Sequence, residues 1–317
     1  IRVTVQPDPF NAPPYVGEIT EVRTTAGAPV TFQIPALDAE GDPIDHSAVL
    51  EPAQPGITLA VSPTDGTVTV TPDAGVTGVF PLRLGVRAAA GGTWDTQAVP
   101  LMVAPAAPTA AWLAPGDDTG SSSADGVTSR NGEAGAELRV NVAGCTPGAE
   151  MVVVADGVPI GQATAQSTTA AVVCSVWPPL ADGTHELAVR AVLRQLSVDV
   201  GNRHETIDLQ SAWSPPLAIV VDTIPPSFTI EPPTTAWLGQ TYVYDAAADD
   251  ATLVVFALVE APEGATLDTQ TGRFTFTPEV WQIGPNDVVI RATDLAGNTS
   301  DQTFTLVVDS GVALEGG

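Results

Sequence analysis

The 317-residue chain contains no lysine: all eleven of its basic residues are arginines, set against 37 acidic ones for a formal charge of −26. Charged residues are only 15% of the chain, below the roughly 25% of an average soluble domain. The acidity therefore reflects missing cations more than an excess of carboxylates. Without lysine there is no Schiff-base chemistry, no phosphate-loop lysine and no lysine–asparagine isopeptide staple. Without a basic stripe nothing can release counterions from a polyphosphate, so nucleic acid is excluded as a partner. No apolar run approaches the ~20 residues of a membrane-spanning helix, and no membrane insertion is expected. Histidine is scarce, with only His46, His185 and His204. H-E-x-x-H, G-x-S-x-G, C-x-x-C and glycine-rich phosphate loops are all missing, so no enzyme is expected.

What remains is apolar enough to fold: 44% hydrophobic residues rule out a disordered composition. Glycine and proline are plentiful, at 29 each. Between them run segments that alternate with period two: Val30-Thr31-Phe32-Gln33-Ile34, Thr67-Val68-Thr69-Val70-Thr71, Arg273-Phe274-Thr275-Phe276-Thr277 and Thr303–Val308. Such alternation puts one face in a core and the other in water, the pattern of antiparallel strands. Turn residues every ~8–12 positions predict stacked sandwiches, and the fold class expected is all-β.

An internal repeat divides the chain. GITLAVSPTDGTVTVTP at 56–72 matches GATLDTQTGRFTFTP at 264–278, pairing Gly56 with Gly264, Gly66 with Gly272 and Pro72 with Pro278. Gly27 and Gly78 find counterparts in Gly239 and Gly284. Two related modules thus flank a different middle one, with proline-rich joints near 104–108 and 221–226 that shorten and stiffen the connections. The expected division is a linker or strand over 1–10, sandwiches over 11–104, 105–225 and 226–309, and a linker over 310–317. The opening Ile1-Arg2-Val3-Thr4-Val5 lacks a charged, then apolar, leader pattern. A mature protein, or a segment cut from a longer one, is therefore expected.

With ALDAEGDP at 36–43, APEGATLDTQTGRFTFTP at 261–278 and ATDLAGNTSDQTFTLVV at 292–308, the outer modules resemble the dystroglycan-type cadherin-like repeats of bacterial surface proteins. The middle module, with DDTGSSSADGVTSRNG at 117–132, GAEMVVVADGVPIGQATA at 148–165, LADGTHELAVRA at 180–191 and VVDTIPP at 220–226, resembles the bacterial immunoglobulin-like repeats of large adhesins. The resemblance implies three tandem immunoglobulin/cadherin-like β-sandwiches in an elongated array. It implies an extracellular or cell-surface location and a structural or adhesive role as part of a fibre, filament or layer. Partners would be other surface modules, further copies of the chain, or glycans. A ligand- or carbohydrate-binding module of an adhesin or secreted enzyme is the alternative.

Carboxylates recur where module ends are expected, and calcium is the implied structural cofactor, since it takes six to eight hard oxygens from loops able to wrap it. The candidate ligands are Asp38, Glu40 and Asp42 in the first module, with the 8–14 segment as a decayed connector. In the middle module they are Asp117, Asp118 and Asp125, with Asp222 at its exit. In the third they are Asp249, Asp250 and Asp294. The competing reading is that these Asp side chains simply cap turns. Ala88-Ala89-Ala90-Gly91 stands where the third module has Asp294, which predicts the loss of the first module's closing site. A Cys145–Cys174 disulfide across the middle sandwich, contributing about 3 kcal/mol, is expected for a secreted protein. Two buried thiols are the alternative. Six tryptophans (Trp94, Trp112, Trp177, Trp213, Trp237, Trp281) are expected to pack in cores or between modules, with sugar stacking as the other use of such rings.

Overall fold

The computed structural model describes residues 12–174, 178–200 and 203–311. The protein is all-β: among the described residues, twenty-seven strands and one short 3-10 turn, Val280–Gln282, make up the regular structure. The strands form tandem sandwiches. No helix among the described residues is long and apolar enough to cross a membrane.

The first and third modules share one topology. In the first, Val22–Thr25, Asp95–Ala104, Gly78–Ala88 and Ile44–Leu50 form a four-stranded sheet in that spatial order. It faces a three-stranded sheet of Val30–Gln33, Thr67–Pro72 and Ile57–Val61, and a short ribbon pairs Tyr15–Val16 with Ala36–Leu37. In the third, the four-stranded sheet is Thr235–Trp237, Thr299–Asp309, Gly284–Thr293 and Val255–Glu260. The facing sheet is Tyr242–Asp245, Arg273–Phe276 and Thr266–Leu267, and the ribbon pairs Ser227–Phe228 with Ala248–Asp249. The repeat read from sequence is thus a repeat of structure. Its glycines recur at the same turns: Gly66 and Gly272 turn their hairpins at φ +72° and +71°, values that L-residues avoid.

Alternation fills the cores as expected. Val68, Val70, Leu82, Leu84, Val86 and Leu101 are buried in the first module, and Phe274, Phe276, Val288, Ile290 and Leu306 in the third. Burying each such side chain stabilises by about 1.5–3 kcal/mol.

The middle module has its own core of Leu138, Val140, Val142, Met151, Val153, Val172, Leu187, Val189 and Ile219. Asp156 (φ +50°) and Gly157 (φ +83°) turn the chain between Glu150–Ala155 and Val158–Thr164. Two successive left-handed residues match the twist of a tight hairpin. The strand Gly183–Val200 is the longest among the described residues, and with Arg203–Gln210 it overhangs the middle sandwich. The overhang clasps the first module: Val198 and Leu209 bury against Met102, with Leu193, Leu196, Ile207, Val79 and Ala104 packed around them.

The expected disulfide is not formed; Cys145 and Cys174 are both free and buried. Pairing between Leu138–Ala143 and Thr169–Cys174 sets Cys174 opposite Leu138, while the Cys145 amide bonds the carbonyl of Thr168 at the far end of the ladder. Six residues of extended strand separate the two by about 20 Å, whereas a bridge needs Cα atoms within about 7 Å.

A candidate metal centre at the second joint

Asp222 is delivered to the second joint by Leu217–Val221, whose Ile219 and Val221 are anchored in the middle core. Its amide bonds Thr128 O at 2.9 Å, and its Oδ1 accepts the Ile224 amide at 3.2 Å. Thr223 is held by Asp182 through both amide (2.8 Å) and hydroxyl (2.9 Å), so the proline joint leaves the module along a fixed path. Asp250 follows the ribbon strand Ala248–Asp249 and accepts the Thr252 amide and hydroxyl at 2.8 and 3.0 Å. Asp294 opens the turn after Gly284–Thr293, its Oδ1 accepting the Asn298 amide at 2.8 Å.

These three carboxylates converge, with one oxygen from each lying within 4.8 Å of the others. Asp222 and Asp294 are each 2% exposed. Asp222 Oδ2 is buried and has no hydrogen-bond partner. Burial first, then the charges of Asp250 and Asp294, push the Asp222 carboxyl above its ordinary range. Three carboxylates so placed repel one another unless a cation sits between them. An all-oxygen donor set with one orphaned buried oxygen suits a hard divalent ion, and flexible carboxylate geometry suits calcium better than magnesium.

Backbone contacts close the joint. The Thr119 hydroxyl donates to Ala296 O at 2.5 Å. The Ser300 hydroxyl donates to Pro226 O, also at 2.5 Å. Gly120 lies so close to the Leu295 carbonyl that any Cβ there would collide with it, and a Cβ on Gly297 would come within 3.0 Å of Gly120.

The other expected ligands lie elsewhere. Asp249 is exposed on the ribbon and is not a member of the trio that its neighbour Asp250 joins. Asp117, buried, faces Arg130 at 3.1 Å and Arg139 at 3.9 Å and also accepts the Arg139 amide, so its charge is met by arginine. Asp118 is 7% exposed and leaves Oδ1 without a partner. Burial raises its pKa, with neighbouring Asp125 adding to the shift and the Gly126 amide opposing it. Asp125 caps the Val127 amide.

In the first module, Asp38 Oδ1 accepts the amides of Glu40 and Asp42, a turn motif. Glu40 and Asp42 are exposed and join no trio among the described residues. The ribbon registers make Asp38 the counterpart of Asp250. Its Oδ2 is likewise buried without a partner, and alanines stand near the position of Asp294. Most of the 8–14 connector lies outside the described residues.

Two features escaped the sequence reading. The tryptophans are surface residues: Trp94, Trp112, Trp213, Trp237 and Trp281 are each more than a third exposed, against the expected packing role, and Trp177 lies outside the described residues. At the clasp, the Ser197 hydroxyl, His204 and Asp199 align at 3.1 and 2.8 Å. The His204 and Asp199 side chains are both mostly exposed, without the buried carboxylate of a hydrolase triad.

The fold defines a tandem array of immunoglobulin/cadherin-like β-sandwich modules. The family described as "Putative Ig domain" matches residues 219–309, a stretch that holds all three converging carboxylates. No curated protein matches the chain in sequence. Among solved structures, the chain is similar to the titin I-band fragment I67–I69, with TM-score 0.37 and 12% identity over 94% of this chain and 99% of that one. It is similar to the Clostridium thermocellum CbhA fibronectin(III)-like modules, with TM-score 0.33 and 14% identity over 63% and 95%. It is also similar to the human desmocollin-1 ectodomain, with TM-score 0.29 and 16% identity over 96% and 62%. At such scores these likenesses carry no functional argument.

Proposed function

We propose that the chain is an extracellular structural segment of a bacterial surface protein: a stiff run of β-sandwich modules that spaces or presents other parts of a fibre or layer. Two unlike joints would set its stiffness, an apolar clasp between the first and second modules and calcium between the second and third. The Asp222–Asp250–Asp294 convergence carries this reading, because it places three carboxylates from two modules around one point, with a buried oxygen left over. Asp222 reports the position of the middle module, while Asp250 and Asp294 report that of the third. A cation held by all three would oppose rotation of one module against the other, and that restraint is its contribution. No catalytic step is involved, and the net charge of −26 keeps neighbouring rods apart.

Calorimetric melting of the whole chain in calcium and in excess chelator tests this. The expected result is a higher melting temperature with calcium and separate melting of the third module without it. Identical melting curves in both would overturn the calcium joint.

One observation favours a second reading, a module that binds ligands at its surface: the five described tryptophans are all on the outside.

A further inference from the structure

We propose that the middle module carries a carbohydrate-binding cleft, built on Trp213 and taking a neutral pyranose unit of a polysaccharide. The cleft measures about 540 Å³ and is lined by Trp213, Val154, Ala188, Glu186, Asp156 and Pro216, among others. That volume falls within the range of small-molecule sites.

Its floor is set by strand register. Val154 lies opposite Ala188 across Glu150–Ala155 and Gly183–Val200, on the face of the sheet that points away from the sandwich core. Its wall is fixed by an unusual run of chain. After Gln210 the backbone follows the Gly183–Val200 strand through Ser211 and Ser214: the Ser214 amide bonds Val189 O at 2.7 Å, and its hydroxyl accepts the Val189 amide at 3.0 Å. The Ser211 amide bonds Ala191 O at 2.9 Å. Trp213 is thereby pinned between two anchored serines. The Arg190 guanidinium stacks 4.6 Å from the indole centroid and is no part of the cleft lining. Stacking fixes the ring's orientation while 43% of the residue stays open to solvent.

The polar groups at the rim are carboxylates. Asp156 is locked in place, accepting the Glu186 amide at 2.9 Å and pairing with His185 Nδ1 at 2.7 Å. The Glu186 side chain is exposed beside it. The cleft thus offers a flat aromatic surface, an aliphatic floor and charged acceptors. A matching ligand must bring an apolar face and O–H donors on its edge, and a pyranose ring has both: C–H bonds to lay on the indole and hydroxyls to give to the carboxylates. A bare cation would satisfy the carboxylates, but it would gain nothing from Val154 and Ala188 and would oppose the Arg190 charge on the same indole.

Glu186 pairs with Ala218, four residues before Asp222, so the test is run with calcium removed to keep the cleft and the joint distinguishable. The test is cosedimentation of the whole chain with insoluble cellulose, mannan and chitin in the presence of EDTA. It is run at about 0.5 M NaCl, where charge attraction is screened to a few ångströms. The expected result is depletion of the protein by at least one of the three. Affinity should fall about tenfold or more in Trp213→Ala, fall clearly in Glu186→Gln, whose side chain is exposed and whose fold is undisturbed, and stay unchanged in Trp281→Ala. No depletion by any of the three, depletion only at low salt, or equal depletion of Trp213→Ala and the parent protein would each overturn the proposal.

Discussion

Asn298 ties the two modules of the second joint together: its Nδ2 donates at 2.8 Å to the main-chain carbonyl of Asp222 and at 2.8 Å to Asp294 Oδ2. One side chain thus secures the exit of the middle module and orients a carboxylate of the third. Replacing it with alanine strands buried acceptors, which costs about 1–3 kcal/mol. Asn298→Ala is expected to lower the melting temperature of the third module by several degrees. Excess calcium should recover only part of the loss, because the Asp222 carbonyl stays unpaired. Differential scanning calorimetry reads both effects.

The Asp222 carboxyl gives the joint a pH dependence with a definite sign. Its pKa is raised in the folded state by burial and by the charges of Asp250 and Asp294. The folded state therefore binds the proton more tightly than the unfolded one. That contribution is fully present below the unfolded carboxylate pKa and is lost as pH rises through the folded value. In chelator, acidification from pH 7 toward 5 should stabilise the joint relative to an Asp222→Asn variant, in which this dependence disappears. In calcium the sign reverses, because the ion needs the ionised form. Asp222→Asn should also be the more stable protein in chelator and should respond little to calcium. Melting curves of both proteins over that pH range, with and without calcium, decide the matter.

The clasp predicts a different kind of failure. Leu209 and Val198 are buried against Met102 of the first module, so Leu209→Ala opens a cavity at the interface and costs about 2–5 kcal/mol. The first module should then melt apart from the second, and small-angle scattering should show a larger radius of gyration. Chelator should leave this joint unaffected, since its contacts are aliphatic.

How much of this could be read from the chain depends on which physical signal carried it. Period-two alternation and the paired glycines gave the sandwiches and the repeat, because both are local. Asp222, Asp250 and Asp294 could be nominated from loop position. That they meet, while the adjacent Asp249 does not, depends on strand parity at the ribbon. The clasp did leave a mark. Apolar positions run 187, 189, 191 and 193, then switch to 196, 198 and 200. The switch coincides with the register shift between Leu193 and Leu196 and the left-handed φ of +53° at Gln195. A bulge of this kind turns the second half of a strand to a new face, and here that face meets another module. Nothing local distinguishes it from an ordinary bulge. The cysteines failed for the same reason: their separation is set by the pairing register of two strands, and neither residue's neighbourhood encodes that.

Those cysteines give the sharpest chemical test of the register. Cys174 is buried, and burial pushes its thiol up to about 12, while burial also raises Cys145. The thiolate is the reactive form, so neither residue should react with Ellman's reagent at pH 8 in the native protein. Both should react at once in denaturant without prior reduction. The intact mass after denaturing alkylation should show two adducts whether or not a reductant was present. A mass two hydrogens lighter, with no adduct until reduction, would mean that a bridge forms. The two strands could then not be paired with Cys174 opposite Leu138, because at about 20 Å no rotamer brings the sulfurs together.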